Sequence, residues 1–234
     1  NAQTFKQPLN NWNTANVNNM AGMFLGAIVF NRPLNSWNTS NVTNMSYMFS
    51  GASVFNVSIE SWNTSNVINM SFMFSGAIVF NQPINRWNTS NVTDMTYMFN
   101  NAQAFNSPIN RLENMTGKSN PILDSWHTGN VKSMDGMFSN TLVFNQPINL
   151  WKTDNVTSMR EMFYNSRFNQ MIFRNQPYSP YTQSGTIVWD TPKLVDMASM
   201  FDKNVVFNNL NGNSLNLITS NVTTMRGMFV GAAS

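Results

Sequence analysis

Large apolar residues recur along the chain at a fixed interval, with polar residues between them. Tryptophans stand 25 residues apart over the first four units and again in a later pair, and eight residues after each one stands a methionine. A Met-Phe pair follows each of these methionines at +3 and +4. The tryptophan column comprises Trp12, Trp37, Trp62, Trp87, Trp126, Trp151 and Trp189, and Leu217 takes this position in the eighth unit. Self-similarity at a fixed period predicts a repeat protein.

The apolar spacing within a unit predicts one short helix. Its buried face contains Val42, Met45, Met48, Phe49 and Ala52, at the i, i+3, i+6, i+7 and i+10 positions of about two to three turns. Ser40 or Asn41 could cap its N-terminus, because a short side-chain oxygen can accept a free backbone N–H.

The residue two positions after each Phe predicts where this helix ends. Seven of the eight units have Gly or Asn there, the residues that best tolerate the left-handed backbone of a helix cap. They are Gly26, Gly51, Gly76, Asn101, Asn140, Asn165 and Gly231, and Lys203 departs from the pattern.

The rest of the unit predicts an extended segment, from Leu34 to Thr39, after a turn that contains proline. One strand and one helix in 25 residues matches the length class of leucine-rich repeats. We therefore predict an α/β solenoid, a leucine-rich-repeat-like right-handed coil with one short strand and one short helix per repeat. It should form a single domain over residues 1–234, with loop insertions near 111–123 and 169–186.

Stacking of the units should bury the tryptophan column together with Met45, Met48 and Phe49. Thr39 and Asn41 should hydrogen-bond to the next coil, where Thr64 and Asn66 take the same positions, since buried amides need partners.

The unit can be written W-[NDK]-T-x-N-V-x-x-M-x-x-M-F-x-[GN]-A-x-x-F-N-Q-P-[LI]-N. It resembles the 25–26-residue repeat of bacterial surface proteins and mycoplasma-type lipoproteins, which are related to BspA-like leucine-rich repeats. The resemblance covers all eight units and excludes the insertions. It implies a surface-displayed solenoid used for adhesion or protein–protein contact.

Composition excludes several classes of function. Asp, Glu, Lys and Arg make up only 10% of the chain, and the net charge of +3 is small, so a clustered basic face for nucleic acid is not expected. Cysteine is absent, which removes disulfides and thiolate metal sites. No apolar run is long enough to span a membrane.

Candidate catalytic and metal-binding residues are sparse. His127 is the only histidine, and one histidine without a carboxylate cluster forms neither a metal site nor a triad. Asp190 and Asp196 share a unit, but calcium needs a denser cluster of oxygens. We therefore expect no enzyme activity, no metal and no cofactor.

Partner contact is expected on the surface that varies between units. The second insertion contains Phe173, Arg174, Tyr178 and Tyr181, an aromatic and arginine mixture typical of interfaces, although a loop packed on itself is an equal alternative. Three charged residues are further candidates: Glu60 and Arg86, which stand just before tryptophans, and Arg111.

The leading hypothesis is a noncatalytic protein of the cell surface or extracellular space that mediates adhesion or protein–protein interaction. Its ligand would be a protein partner, with a glycan as an alternative. The second hypothesis is a structural component of a larger assembly, such as a virion or surface layer, that packs against neighbouring subunits. Because the chain begins and ends inside a unit, we expect further repeats or other chains to cover Trp12 and Met20 at one end and Met225 and Phe229 at the other.

Overall fold

The computed structural model describes residues 2–109, 126–149, 151–170, 172, 189–208 and 218–232. Within these ranges the chain contains no helix, and its β-structure consists of isolated parallel bridges. Each bridge joins one residue to its counterpart in the following repeat, in the order Asn19, Asn44, Asn69, Asp94, Ser133, Ser158, Asp196 and Thr224. The repeats are therefore stacked in the order of the sequence.

The prediction of an α/β solenoid with a short strand and a short helix in each repeat was wrong. Tyr47 has a φ of 57° in the middle of the predicted helix, whereas an α-helix needs about −60° at every residue. The segment is a series of reverse turns, in which the N–H of Met48 donates to the carbonyl of Met45 at 3.2 Å. The N–H of Ala52 likewise donates to the carbonyl of Phe49 at 3.0 Å. The spacing of buried residues arises from these turns.

The predicted strand at 34–39 is also absent. The N–H of Trp37 donates to the carbonyl of Leu34 at 3.1 Å, and the N–H of Val42 donates to that of Thr39 at 3.0 Å. These bonds close two further turns, so the chain direction changes where an extended segment was expected.

Backbone N–H groups of alternate residues bind the next repeat. In the second repeat, Met45 donates to Asn69, Tyr47 to Ser71, Phe49 to Met73 and Gly51 to Ser75, at 2.7–3.0 Å. The turns of one repeat thus obtain their remaining hydrogen bonds from the next one.

Two residues of each repeat, four positions apart, have a left-handed backbone. The first column contains Gly22, Tyr47, Phe72, Tyr97, Gly136, Glu161, Ser199 and Gly227. The second contains Gly26, Gly51, Gly76, Asn101, Asn140, Asn165, Lys203 and Gly231. The left-handed conformation expected at the second column is confirmed, and Lys203 adopts it too. Each residue of the second column lies within a reverse turn and does not mark the end of a helix.

Aromatic rings form the core of the stack. The ring centroids of Trp37 and Trp62 are 6.4 Å apart, with 2° between the planes, and those of Phe49 and Phe74 are 5.7 Å apart. Within one repeat, Phe49 and Phe55 stack at 3.8 Å. Parallel offset rings of this kind gain both burial and favourable quadrupole contacts.

Tryptophan has a polar role in this column as well as an apolar one. Each described indole after the first donates its Nε1–H to a backbone carbonyl of an earlier repeat at 2.9–3.1 Å. The acceptor of Trp62 is the carbonyl of Leu34. A leucine in this column would leave that buried carbonyl without this partner.

Most of the residues assigned to the core column are buried. Trp37, Trp62, Trp87, Trp126, Trp151, Trp189, Met45, Met48 and Phe49 are at most 4% exposed. Trp12, however, was assigned to the core and is 54% exposed, because in the described part of the chain the Trp37 ring stacks on one of its faces only. Met225 and Phe229 are also partly exposed, whereas Met20 is buried.

Threonine and asparagine columns bond from repeat to repeat through the backbone, and not through their counterparts as expected. The Oγ1 of Thr39 donates to the carbonyl of Asn63 at 2.9 Å. The Nδ2 of Asn66 donates to the carbonyl of Ser40 at 2.7 Å. Thr39 is buried and Asn66 is exposed, so of these two bonds only the threonine bond is sheltered from water.

We expect Trp62→Ala to lower the free energy of unfolding by about 3–5 kcal/mol, because it empties a buried column between two intact repeats. Ser61→Ala is the matched control, since Ser61 is exposed, and its effect should stay within about 0.5 kcal/mol. Denaturant melts of the two variants measure the difference, and similar losses would contradict the assignment of the core.

Candidate functional site

The sequence-predicted contact residues fall into two groups. Phe173, Arg174, Tyr178, Tyr181 and Arg111 lie outside the described residues. Glu60 and Arg86 lie on neighbouring repeats, with Arg86 Nε 3.3 Å from Glu60 Oε1. Their side chains are 36% and 67% exposed, and an ion pair so exposed to water contributes little to stability.

No metal-binding cluster is assembled within the described ranges. They contain no group of three or more His, Cys, Asp or Glu side chains that could hold a metal ion. His127 is half-buried in the asparagine column, and its carbonyl accepts a hydrogen bond from Thr89 Oγ1 at 3.0 Å. The described residues also form no helix that is long and apolar enough to cross a membrane.

Exposed aliphatic side chains occupy one edge of the stack. We call this the aliphatic edge, and it contains Ile28, Val29, Val54, Ile78, Val79, Leu142, Val143 and Val205, each 38–50% exposed. In the first three repeats they lie at the centre of a reverse turn, such as the one closed by the N–H of Phe80 and the carbonyl of Ala77 at 3.1 Å. Gly, Pro, Asn, Asp and Ser are the usual residues at such positions.

The aliphatic edge is continuous over the first three repeats. Ser53 Oγ donates to the carbonyl of Ile28 at 3.2 Å, and the N–H of Ala104 donates to the carbonyl of Ile78 at 2.9 Å. These bonds hold the turns of neighbouring repeats side by side. Contiguous apolar surface of this kind typically marks a contact site.

A second surface feature is a column of three stacked aromatic residues, which we call the aromatic strip: Tyr47, Phe72 and Tyr97. Their rings lie 4.6 and 5.1 Å apart in sequence order, and Tyr47 is 41% exposed. All three have φ values of 52–57°. Bulky residues are uncommon at positive φ, and the strain of about 1–2 kcal/mol per residue is partly offset by ring stacking.

The aromatic strip continues into a charged group. The Tyr97 ring lies over Gly136, where an added Cβ would come within 2.0 Å of Tyr97 Cε1. Beyond this glycine, Tyr97 Oη donates to Glu161 Oε2 at 2.9 Å. Arg160 pairs with the other oxygen of Glu161 at 3.1 Å. One tyrosine therefore connects three repeats.

Two ionisable side chains in this region, the Tyr97 phenol and the Asp135 carboxyl, have raised pKa values. Burial, followed by the hydrogen bond to Glu161, raises the pKa of Tyr97 to about 12. Burial also raises the pKa of the Asp135 carboxyl, although hydrogen bonds from Ser158 and from the Arg160 N–H oppose the rise. The arrangement therefore holds a proton firmly on Tyr97.

Sequence reasoning missed both surfaces. The aliphatic pairs occupy the two unspecified positions of A-x-x-F, and the aromatic strip occupies the unspecified position before Met-Phe. Residue type at these variable positions was the available signal. Ile-Val and Tyr or Phe there are apolar yet lie off the buried face of the unit.

Comparison with known proteins places the chain among repeat proteins. It matches the model of the family described as Mycoplasma protein of unknown function, DUF285, in four segments, at residues 1–61, 35–120, 112–184 and 182–234. A comparison with curated protein sequences gave no significant match.

We expect Gly136→Ala to destabilise the protein by roughly 2–4 kcal/mol, because the new methyl group strains a left-handed residue and overlaps the Tyr97 ring. In a Tyr97→Ala background the overlap disappears, and the same replacement should cost only about 1 kcal/mol. Denaturant melts of the four proteins of this double-mutant cycle provide the test. Equal costs in both backgrounds would show that the ring does not constrain Gly136.

We also expect Tyr97 to remain protonated well above the ordinary tyrosine pKa of 10.0. A raised pKa in the folded state means that the contribution of Tyr97 to stability is complete below about pH 10 and is lost as the pH rises towards 12. Ultraviolet titration of the folded protein should show one late tyrosine that Tyr97→Phe removes and Glu161→Gln shifts to lower pH. Tyr47→Phe, which removes a tyrosine from the same column, should leave the late step in place.

Proposed function

We propose that this chain, which belongs to the DUF285 family of Mycoplasma-type repeat proteins, is a noncatalytic binding protein that uses its aliphatic edge to contact another protein. The single observation that carries the proposal is the exposure of aliphatic residues at turn positions of successive repeats. A side chain such as Val79, 41% exposed, gains about 25 cal/mol per Å² when a partner covers it.

The geometry of the aliphatic edge suits a partner surface that follows the stack. Ile28, Val54 and Ile78 lie on three consecutive repeats, and Ser53 Oγ joins the first two of these turns by donating to the carbonyl of Ile28. A rigid row of this kind needs no ordering on binding, which lowers the entropic cost of association. The aromatic strip adds tyrosines, which are enriched among residues that dominate binding energy.

We also propose that the array is a solenoid displayed on a cell or particle surface and related to the repeats of BspA-like surface proteins. The motif of tryptophan, Met-Phe and Phe-Asn columns supports this relation. Adhesion to a host-cell protein is the leading role. The alternative role is packing against neighbouring subunits of a larger assembly, for which the same edge would meet a second copy of itself.

Adhesion can be tested with beads that carry the purified protein, applied to a monolayer of epithelial cells. The test variant replaces Ile78, Val79, Leu142 and Val143 with serine. These residues are 38–47% exposed, so each replacement should cost no more than about 0.5 kcal/mol of stability. We expect bead retention to fall by about tenfold or more, because a loss of about 1.4 kcal/mol of binding energy already gives tenfold.

The matched control replaces Gln103 and Ala104, the residues at the same turn positions in the fourth repeat, with serine. It should retain adhesion and the thermal transition of the parent. If the four-residue variant still adheres, the proposed contact surface is wrong. Sedimentation velocity separates the two roles: concentration-dependent self-association that the variant abolishes, without adhesion to cells, would favour the assembly.

A further inference from the structure

An open groove of about 700 Å³ crosses five consecutive repeats on a part of the surface that the aliphatic edge does not use. One asparagine from each repeat lines it: Asn41, Asn66, Asn91, Asn130 and Asn155. The residues two positions later complete the lining, among them Thr43, Ile68 and Lys132. The groove therefore presents the same amide group once per repeat along the stack.

The backbone fixes the orientation of these amides. Each Nδ2 donates to a carbonyl of the preceding repeat at 2.6–2.7 Å, as Asn91 does to Ser65. One of the two N–H groups of each amide is thereby engaged, and Oδ1 is left as an acceptor. Among the described residues, the Oδ1 atoms of the first four asparagines accept no hydrogen bond.

In the seventh repeat, a lysine side chain donates to one of these asparagine oxygens. Lys193 stands where the other repeats have the asparagine, and its Nζ donates to Asn155 Oδ1 at 2.6 Å. The amide oxygen of the row is thus accessible to a donor group that approaches along the stack. Lys193 therefore occupies the Oδ1 of the last asparagine, and the Oδ1 atoms of the other four asparagines remain available.

We propose that the groove binds an extended, neutral, hydroxyl-rich polysaccharide, whose hydroxyl groups donate to the asparagine Oδ1 atoms. The spacing of the acceptors decides between ligand classes. Hydrogen-bonded parallel backbones lie about 4.8 Å apart, so acceptors repeat at about that distance. An extended chain of β-linked sugars advances by a similar distance per ring. Successive rings are flipped, but each ring has hydroxyl groups on both edges, so a hydroxyl group can face every acceptor over several repeats.

An extended peptide does not match this spacing. Its N–H groups on one side recur every second residue, at roughly 6.7 Å, so a peptide along the stack would lose register by the second contact. A polycation is disfavoured as well, because the residues lining the groove include Lys132 and no Asp or Glu. Ile68 and the methyl of Thr43 offer apolar contact to the C–H face of a sugar ring.

The proposal can be tested by isothermal titration calorimetry with cellohexaose and chitohexaose, two neutral and extended β-linked hexasaccharides. We expect both to bind the intact chain. Maltohexaose has the same hydroxyl chemistry as cellohexaose on a curved α-linked chain, and it should bind much more weakly. Equal binding of maltohexaose would overturn the spacing argument, and no binding of either β-linked probe at millimolar concentration would overturn the proposal.

Asn91→Lys is the decisive variant, because Lys193 shows that the fold accommodates lysine in this column. The new ammonium should donate to Asn66 Oδ1, as Lys193 does to Asn155, and so remove two of the four acceptors. We expect affinity to fall by about tenfold. Ser58→Lys, at an exposed position outside the groove, adds the same charge and should leave affinity unchanged.

Lys193→Ala tests the opposite direction. It frees Asn155 Oδ1 and lengthens the row by one acceptor, so affinity should rise by about threefold to tenfold. Unchanged binding in both Asn91→Lys and Lys193→Ala would place the sugar elsewhere. These measurements are independent of cell adhesion, since none of the three positions belongs to the aliphatic edge.

Discussion

Every repeat depends on its neighbour for backbone hydrogen bonds. The N–H groups of Met45 and Phe49 point into the next repeat, and a series of turns offers no other partner for them. A buried amide without a partner costs about 1–3 kcal/mol, so the next repeat must present its carbonyls at the same places. Side chains reinforce this demand, as where Asn56 Oδ1 accepts the N–H of Asn81 at 2.9 Å. Uniform backbone geometry follows, and with it the columns of identical residues.

The sequence allows the columns to be predicted but not the conformation that joins them. Burial of Trp62 and Met45 follows from periodicity alone, and a left-handed residue at Gly51 follows from its type. The predicted helix does not follow from the sequence. A series of turns, one closed every two residues, buries nearly the same positions as a helix would. The deciding feature is the left-handed backbone at Tyr47, which local preference argues against and which hydrogen bonds to the next repeat impose. Tertiary context overrides propensity here.

The sequence-predicted contact residues remain predictions, and the candidate surfaces found in the structure lie elsewhere. Interface composition drew attention to the second insertion and to charged residues such as Arg86. The repeats themselves carry the candidate surfaces, at positions that a motif leaves unspecified. Ile78 becomes a candidate contact residue only once a turn places it outside the core and a hydrogen bond from Ala104 sets its turn beside the following repeat. Asn91 becomes a candidate binding residue only once the backbone accepts one of its N–H groups and its oxygen is left as an acceptor.

A stack of this kind builds its surfaces by addition. Each repeat contributes one turn, one ring or one amide at a spacing of about 4.8 Å, so a ligand that follows the stack gains a similar contact from every repeat it crosses. A compact partner meets only the few repeats that its own curvature allows. The Tyr97 ring illustrates the rigidity on which such addition depends, since it passes over Gly136 and bonds to Glu161 two repeats away. Because the spacing is rigid, the shape of a ligand decides whether it can follow the stack, before the chemistry of any single residue matters.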